Sequence, residues 1–294
     1  MYRNILIVAV ATLLFSSRLC AQDMGAGFVL PAVPETLTTP EQRADYLTLH
    51  YWDSLNMSDV EAVKSDDVRA AFADFISILP YCTSQREAFA TLWQRCYPYR
   101  DAYYYMLELS EFYLYDVASP QRNEELYIEA LEAVVEDAVI EDIDKIGVIS
   151  QLHLLKRNRV GEVATDFEFV DKAGAKHRLS EYGAEYVLLL FASADCEDCK
   201  RMKRVIDANT RLWMMLRRGS LAIVAITITE DSAAWQQTSV PDRWIEGWDS
   251  EQAIEHSSLY DLTTKPRLYL LDREHRILLK NTTPQQVEEY LLAM

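Results

Sequence analysis

The stretch that decides the fold of the second half of the chain is Tyr186-Val-Leu-Leu-Leu-Phe-Ala192, followed after three residues by Cys196-Glu-Asp-Cys199. The first segment is a short, continuous apolar run, which is typical of a strand buried on both faces. Ser193-Ala-Asp195 ends the run, and good helix formers follow the first cysteine. The pattern therefore predicts a strand, a tight turn and a helix that carries Cys-x-x-Cys in its first turn.

A Cys-x-x-Cys in the first turn of a helix predicts a dithiol redox centre. Residues three apart lie on one face of a helix, so the two sulfurs are close enough to bond. The unpaired N–H groups and the positive dipole end of the helix would stabilise a thiolate at Cys196. Taken alone, the motif also fits a structural disulfide, half of a metal site or two inert buried thiols.

Residues 1–21 are predicted to be a secretory signal peptide. Arg3 gives a positive start, an uncharged and mainly apolar stretch follows, and Ala21 suits cleavage before Gln22. About eleven such residues fall short of the ~20 that a helix needs to cross a bilayer. Lipidation of Cys20 is disfavoured because Ser-Arg-Leu, rather than small residues, precedes it. The mature chain is therefore expected to be exported and soluble, without a membrane span.

The composition is strongly acidic. The chain has 29 lysine and arginine residues against 46 aspartate and glutamate residues, a formal net charge of −17. This balance argues against nucleic-acid binding and against adsorption to anionic lipid, and solubility is its simplest meaning. No metal-ligand spacing occurs in the first half of the chain, and we expect neither a metal nor a cofactor.

Export would allow the four cysteines of the mature chain to pair in an oxidising compartment. Cys82 lies just before a predicted helix and Cys96 near its end, so their Cα atoms would be roughly 20 Å apart. A disulfide needs a separation of about 4.4–6.8 Å. We therefore expect one disulfide, Cys196–Cys199, and no bond between Cys82 and Cys96.

Two domains are expected because about 270 residues exceed what one core usually holds. Residues 22–158 are predicted to be an all-α domain with helices that include 66–79, 99–115 and 142–156. A further helix is expected to start at Ser119-Pro120, since proline suits a first helical turn. The tyrosines of the predicted helix over 99–115 are interpreted as core packing in a helical bundle. The alternative is a surface that binds carbohydrate or peptide.

Residues 159–294 are predicted to form an α/β domain, a mixed central sheet flanked by helices. The expected elements are a hairpin over 166–179, buried strands at 186–192 and 220–228, a hairpin over 267–280, and a closing helix at 284–292. No strand is predicted in the tryptophan-bearing segment between the second buried strand and the second hairpin.

Three stretches of this second domain resemble exported thioredoxin-like oxidoreductases of the TlpA/AhpC-TSA type. They are Gly161-Glu-Val-Ala-Thr-Asp-Phe167, Phe191-Ala-Ser-Ala-Asp-Cys-Glu-Asp-Cys-Lys200 and Leu262-Thr-Thr-Lys-Pro-Arg-Leu-Tyr-Leu-Leu-Asp272. The resemblance implies a thioredoxin-like fold, with Cys196 as the nucleophile and Cys199 as the resolving cysteine. It also implies that Pro266 is cis and faces the dithiol, which leaves Lys265 free to bond an extended substrate strand.

Nearly the whole mature chain is similar to a narrower group, described mainly from Bacteroides-type bacteria. That group joins an N-terminal helical domain of unknown function to a thioredoxin-like module. The similarity lies in Ser119-Pro-Gln-Arg-Asn-Glu-Glu-Leu-Tyr127 and Lys156-Arg-Asn-Arg-Val-Gly161. It indicates little about the substrate.

The dithiol departs from the family pattern. Where the family usually has Trp-Cys-Gly-Pro-Cys, this chain has Asp195-Cys-Glu-Asp-Cys199, whose carboxylates disfavour a nearby thiolate by repulsion. Lys200 and Arg201 offset part of this repulsion. Leu190 replaces the buried aspartate of thioredoxins, so no general base is assigned, and Leu189 replaces the proline of the peroxidase motif, which disfavours a peroxidase.

The sequence thus predicts a periplasmic thiol–disulfide oxidoreductase that reacts through Cys196 and Cys199, with Lys265 and Pro266 as substrate-binding residues. The expected partners are envelope proteins with thiols or disulfides, and a redox partner protein. The alternative is a redox-inactive binding or scaffold protein of the cell envelope with a thioredoxin fold. The acidic residues between the cysteines and the missing base favour this alternative.

Overall fold

A computed structural model describes residues 28–294, and the predicted signal peptide lies outside the described residues. The chain divides into two compact units, the first ending at Leu152 and the second covering His153–Met294. The first unit is helical, and the second contains a mixed seven-stranded sheet with helices. The predicted fold class, a thioredoxin-like α/β fold preceded by an all-α region, is confirmed.

In the described part of the helical unit, which begins at residue 28, there are seven α-helices, the last of which continues to residue 155. They are α1 (Pro40–Leu49), α2 (Val60–Val63), α3 (Asp66–Ile78), α4 (Gln85–Cys96), α5 (Arg100–Leu114), α6 (Glu124–Glu136) and α7 (Asp142–Leu155). Side chains at the start of several helices accept hydrogen bonds from backbone N–H groups that lack a helical partner, as with Ser65 at α3 and Ser84 at α4. These caps fix where the helices begin.

Aromatic side chains fill the core of the helical unit. Phe89, Trp93 and Tyr103 are fully buried, and the indole N–H of Trp93 donates to the carbonyl of Ala130, 2.9 Å away. This bond joins α4 to α6 and satisfies the polar atom of a buried indole. The tyrosine-rich helix α5 is therefore partly core, although Tyr104 is 48% exposed on its other side.

The predicted start of α6 at Ser119-Pro120 is wrong. The helix begins at Glu124, with the Asn123 side chain accepting a hydrogen bond from the N–H of Leu126. The Ser119 hydroxyl instead donates to the carbonyl of Tyr113, which holds residues 119–120 in a turn. The Ser119 oxygen also accepts a hydrogen bond from the N–H of Gln121 within this turn, and Asn123 acts as the cap of α6.

The two cysteines of the helical unit are as predicted. Cys82 and Cys96 are both buried and both free. The Cys82 sulfur lies 3.3 Å from the Thr48 hydroxyl, and Cys96 belongs to the buried face of α4. Burial raises the pKa of both thiols, so neither is a ready thiolate.

The second unit contains seven strands in the order β2-β1-β5-β4-β3-β6-β7. They are β1 (Glu168–Val170), β2 (Lys176–Arg178), β3 (Tyr186–Ala192), β4 (Leu221–Thr227), β5 (Ile245–Trp248), β6 (Arg267–Asp272) and β7 (Ile277–Leu279). Strands β3, β4 and β5 are parallel, and the remaining pairings are antiparallel. The helices are α8 (Glu197–Ala208), α9 (Thr210–Arg218), α10 (Ser232–Gln237), α11 (Ala253–His256) and α12 (Pro284–Ala293).

Strand β3 is central and buried on both faces, as its apolar run predicts. Val187, Leu189 and Phe191 join the core on one face of the sheet. Their neighbours Leu188 and Leu190 join the core on the other face, which also contains residues of α8, α9 and α12. The strand ends at Ala192, and after a short turn the helix that carries the cysteines begins at Glu197.

Strand β5 is missing from the sequence-based prediction. It contains Gly247, a residue that is depleted in strands. A Cβ atom at this position would lie 2.3 Å from Cδ2 of Phe169 and 2.7 Å from Cδ1 of Ile226. The glycine is needed for this close approach, which depends on residues distant in the sequence, so local periodicity cannot reveal it.

Candidate active site

Cys196 is the N-cap residue of α8. It follows the short turn after β3, and its sulfur accepts a hydrogen bond from the backbone N–H of Cys199 at 3.0 Å. The two cysteines are joined by a disulfide, with Cα atoms 5.2 Å apart. The sequence therefore placed the first sulfur correctly, at the N–H groups of the first helical turn, where the helix dipole favours negative charge.

The two sulfurs differ in accessibility. Cys199 is only 1% exposed and packs in the core with Leu190 and Ala225, whereas Cys196 is half-buried at the edge of that core. A sulfur of another molecule can therefore reach Cys196 more readily than Cys199. This asymmetry is what a nucleophile and a buried resolving thiol require.

The peptide bond between Lys265 and Pro266 is cis, as predicted. The carbonyl oxygen of Lys265 lies 3.7 Å from the Cys196 sulfur, although the two residues are 69 positions apart in the sequence. Both residues of the cis bond are half-buried. All four predicted site residues, Cys196, Cys199, Lys265 and Pro266, therefore lie in one place.

A buried ion pair supports the segment before β6, and the sequence analysis did not identify it. The Arg267 guanidinium lies 3.1 Å from the Asp261 carboxylate, and both side chains are 2% exposed. Arg267 also donates to the Thr263 hydroxyl, which in turn donates to Asp261. These bonds fix the turn that leads into Lys265. An arginine at the start of the apolar strand β6 is the sequence feature that could have indicated this ion pair.

One match to a known family covers the N-terminal, helical part of the chain. Residues 12–158 match the family described as a domain of unknown function, DUF5106. A thioredoxin-like protein from Bacteroides caccae has a crystal structure that is 33% identical, covers 90% of this chain and 98% of its own, and superposes with a TM-score of 0.76. The chain belongs to this family of thioredoxin-like proteins with a DUF5106 domain.

Other solved structures match a little less than half of the chain. A conserved protein of unknown function from Bacteroides fragilis is 32% identical, covers 45% of this chain and 98% of its own, and has a TM-score of 0.44. The C-terminal domain of an uncharacterized protein from the same species is 33% identical, with coverages of 46% and 98% and a TM-score of 0.45. No curated protein matches the sequence.

Around the dithiol of this thioredoxin-like protein, each acidic residue of the Cys-x-x-Cys motif has a basic partner one helical turn later. The Lys200 ammonium lies 2.7 Å from the Glu197 carboxylate, and Arg201 pairs with Asp198. The hydrogen bond from Lys200 lowers the pKa of Glu197. All four side chains are at least half exposed, so water screens their charges and their net effect on Cys196 is small.

Within residues 28–294, no three histidine, cysteine, aspartate or glutamate side chains come together as a metal site. In the same part of the chain, no helix combines the length and apolar character needed to cross a membrane. Leu190, at the position of the thioredoxin aspartate, is fully buried among apolar side chains of the α8 face. A proton acceptor for Cys199 must therefore come from elsewhere.

Proposed function

We propose that the protein is a periplasmic thiol–disulfide oxidoreductase with Cys196 and Cys199 as its catalytic residues. The observation that carries the proposal is the disulfide at the start of α8, which joins a half-buried sulfur to a fully buried one. The N–H of Cys199 directed at the Cys196 sulfur favours negative charge there, as a nucleophile requires. Membership of a thioredoxin-like family supports the same chemistry.

The reaction proceeds by two thiol–disulfide exchanges. The Cys196 thiolate attacks one sulfur of a substrate disulfide, a mixed disulfide forms, and the other substrate sulfur leaves as a thiolate that takes up a proton. Cys199 then loses its proton and attacks the Cys196 sulfur. The Cys196–Cys199 bond forms, the mixed disulfide breaks, and the substrate leaves as a dithiol with two electrons gained. The reverse sequence oxidises a substrate dithiol.

Lys265 and Pro266 are the proposed substrate-binding residues. The backbone of Lys265 lies beside the reacting sulfur, and proline has no N–H to occupy the position after it. An extended peptide can therefore bond to the Lys265 backbone in the manner of an added strand. Such bonds hold a disulfide against Cys196 without requiring a particular side-chain sequence, which suits envelope proteins as substrates.

The proposed location rests on the N-terminal residues. A positive start, an apolar stretch and a small residue at Ala21 support export, and the proposed partners are envelope proteins with thiols or disulfides together with a redox partner protein. We propose that the mature protein begins at Gln22. Mass spectrometry of the protein from the periplasm tests this, and a diacylated Cys20 would contradict it.

The order of attack gives the direct test of the proposed roles. Cys199→Ala is expected to accumulate a mixed disulfide with a disulfide-bonded model protein, because nothing resolves the bond that Cys196 forms. Cys196→Ala should accumulate almost none, because the remaining Cys199 is 1% exposed. Non-reducing electrophoresis and mass spectrometry measure both. Equal trapping by the two variants would contradict the assignment, and the double variant controls for Cys82 and Cys96.

A further inference from the structure

One basic side chain interrupts the inner face of α8. Cys199 and Ile206 of this helix are each 1% exposed and share one core. Lys203 follows Cys199 by four positions and is half-buried. Residues four apart lie on the same face of a helix, with Cβ atoms about 5–6 Å apart. Lys203 and the resolving Cys199 therefore share the inner face of α8.

A carboxylate on the sheet beneath α8, that of Glu246, interacts electrostatically with Lys203. In the sheet, Leu190 of β3 pairs with Ala225 of β4, and Ala225 pairs with Glu246 of β5. Strand alternation puts Glu246 on the same face as Trp244, which belongs to the core that contains Cys199. Glu246 is thus in the same row of the sheet as Leu190, two strands away.

Glu246 is held in place by polar contacts. Its side chain is 14% exposed; one oxygen accepts a hydrogen bond from the Thr238 hydroxyl at 3.1 Å, and the other lies 3.9 Å from the Lys172 ammonium. Lys172 is itself fixed by the carbonyl oxygens of Trp235 at 2.5 Å and Thr238 at 3.1 Å. The carboxylate therefore has a fixed position beside the Lys172 ammonium.

The protonation of Lys203 depends on its burial and on the charged side chains around it. Burial lowers the pKa of the Lys203 ammonium, the Glu246 carboxylate opposes this change, and Lys172 adds to it. On α8 itself, Lys200 is half exposed and paired with Glu197, and Arg204 is exposed. Glu246 is thus the group that favours the charged form of this partly desolvated ammonium.

We propose that Lys203, which lies one helical turn after Cys199 on the inner face of α8, is the positioning residue that stabilises the thiolate of Cys199 in the step that releases the substrate. The proposal rests on the proposed function and names a group that favours the Cys199 thiolate, while the proton itself passes to solvent. An opposite charge within ∼4–6 Å favours the charged form of a titratable group, which for Cys199 is the thiolate. In the release step, the Cys199 proton passes to solvent, the thiolate attacks the Cys196 sulfur, and the substrate sulfur leaves.

The test measures the pKa of Cys199 itself, in the Cys196→Ser background where it is the only thiol of the motif. Protein labelled with carbon-13 at the cysteine Cβ reports this pKa through the pH dependence of the Cys199 signal. Lys203→Met is expected to raise the pKa of Cys199 by about one pH unit, because an opposite charge is removed. Lys203→Arg should restore it, because it returns a positive charge to the same position.

Lys200→Met is the matched control, since it removes the same charge from an exposed position on the same helix. No change on Lys203→Met, or a change as large with Lys200→Met, would overturn the proposal.

A second readout follows the release step with both cysteines present. A pKa higher by about one pH unit leaves tenfold less thiolate, while the intrinsic nucleophilicity rises, so release should slow about threefold at neutral pH. An unchanged release rate would overturn the role in release. The pKa measurement needs no exchange activity. Failure of the trapping experiment would therefore contradict the proposed function, and an unshifted Cys199 pKa would contradict this inference alone.

Discussion

Cys196→Ser is expected to reduce the rate of disulfide exchange with a model protein disulfide to that of the uncatalysed reaction. The substitution replaces a thiolate nucleophile with a hydroxyl that stays protonated near neutral pH, and it leaves the buried Cys199 as the only thiol of the motif. The measurement is the initial rate of substrate reduction in the presence of a small thiol reductant, with wild type and variant compared at equal concentration.

Cys82→Ser is the matched control, because it makes the same chemical change at a buried cysteine of the helical unit. The Cys82 sulfur already contacts the Thr48 hydroxyl at 3.3 Å, so a serine there keeps a polar partner. This control should retain the wild-type rate. A wild-type protein that exchanges no faster than Cys196→Ser would favour the alternative function, a redox-inactive binding or scaffold protein.

Asp261→Ala is expected to destabilise the second unit by about 3–5 kcal/mol, since it removes one partner of a buried ion pair and leaves the other charge buried. Arg267 would remain 2% exposed beside the cavity left by the carboxylate. Such a loss is large against the total stability of a domain, about 5–15 kcal/mol. Hydrogen exchange of the β3 and β6 amides measures it, because these central strands open only with the whole unit.

Glu255→Ala is the comparison for this stability effect. Glu255 pairs with Lys265 at 3.3 Å, but its side chain is 48% exposed, and an exposed ion pair contributes about 0–1 kcal/mol. A similar small effect from both variants would contradict the structural role given to the Asp261–Arg267 pair. Since that pair fixes the turn before Lys265, partial destabilisation should also slow exchange at Cys196.

The parts of the fold that the sequence predicts are those encoded by local pattern. The apolar run of β3 and the helix formers after Cys196 lie within 25 consecutive positions, so periodicity and capping rules apply directly. The same holds for the separation of Cys82 from Cys96, which follows from helix rise alone. The placement of Lys265–Pro266 beside Cys196 was inferred from the resemblance to a family. No local pattern connects Cys196 with Lys265, because the two residues are 69 positions apart.

The parts that the sequence does not predict depend on pairing between distant residues. Strand β5 is recognised only when Gly247 is seen against Phe169 and Ile226. The environment of Lys203 includes Glu246. The register of β4 and β5 places this carboxylate on the face of the sheet beneath α8. In the sequence alone, a lysine on a helix is most simply an exposed residue. Register is a tertiary property, and it determines which charges meet beneath α8.

The reduction potential of the Cys196–Cys199 pair tests the central claim most directly. The protein is equilibrated in thiol–disulfide buffers of known potential, and the fraction of oxidised dithiol is read by alkylation and mass spectrometry. A working redox centre should give a value in the range of thiol oxidoreductases, about −120 to −270 mV. A value below about −300 mV, typical of structural disulfides, would contradict the account.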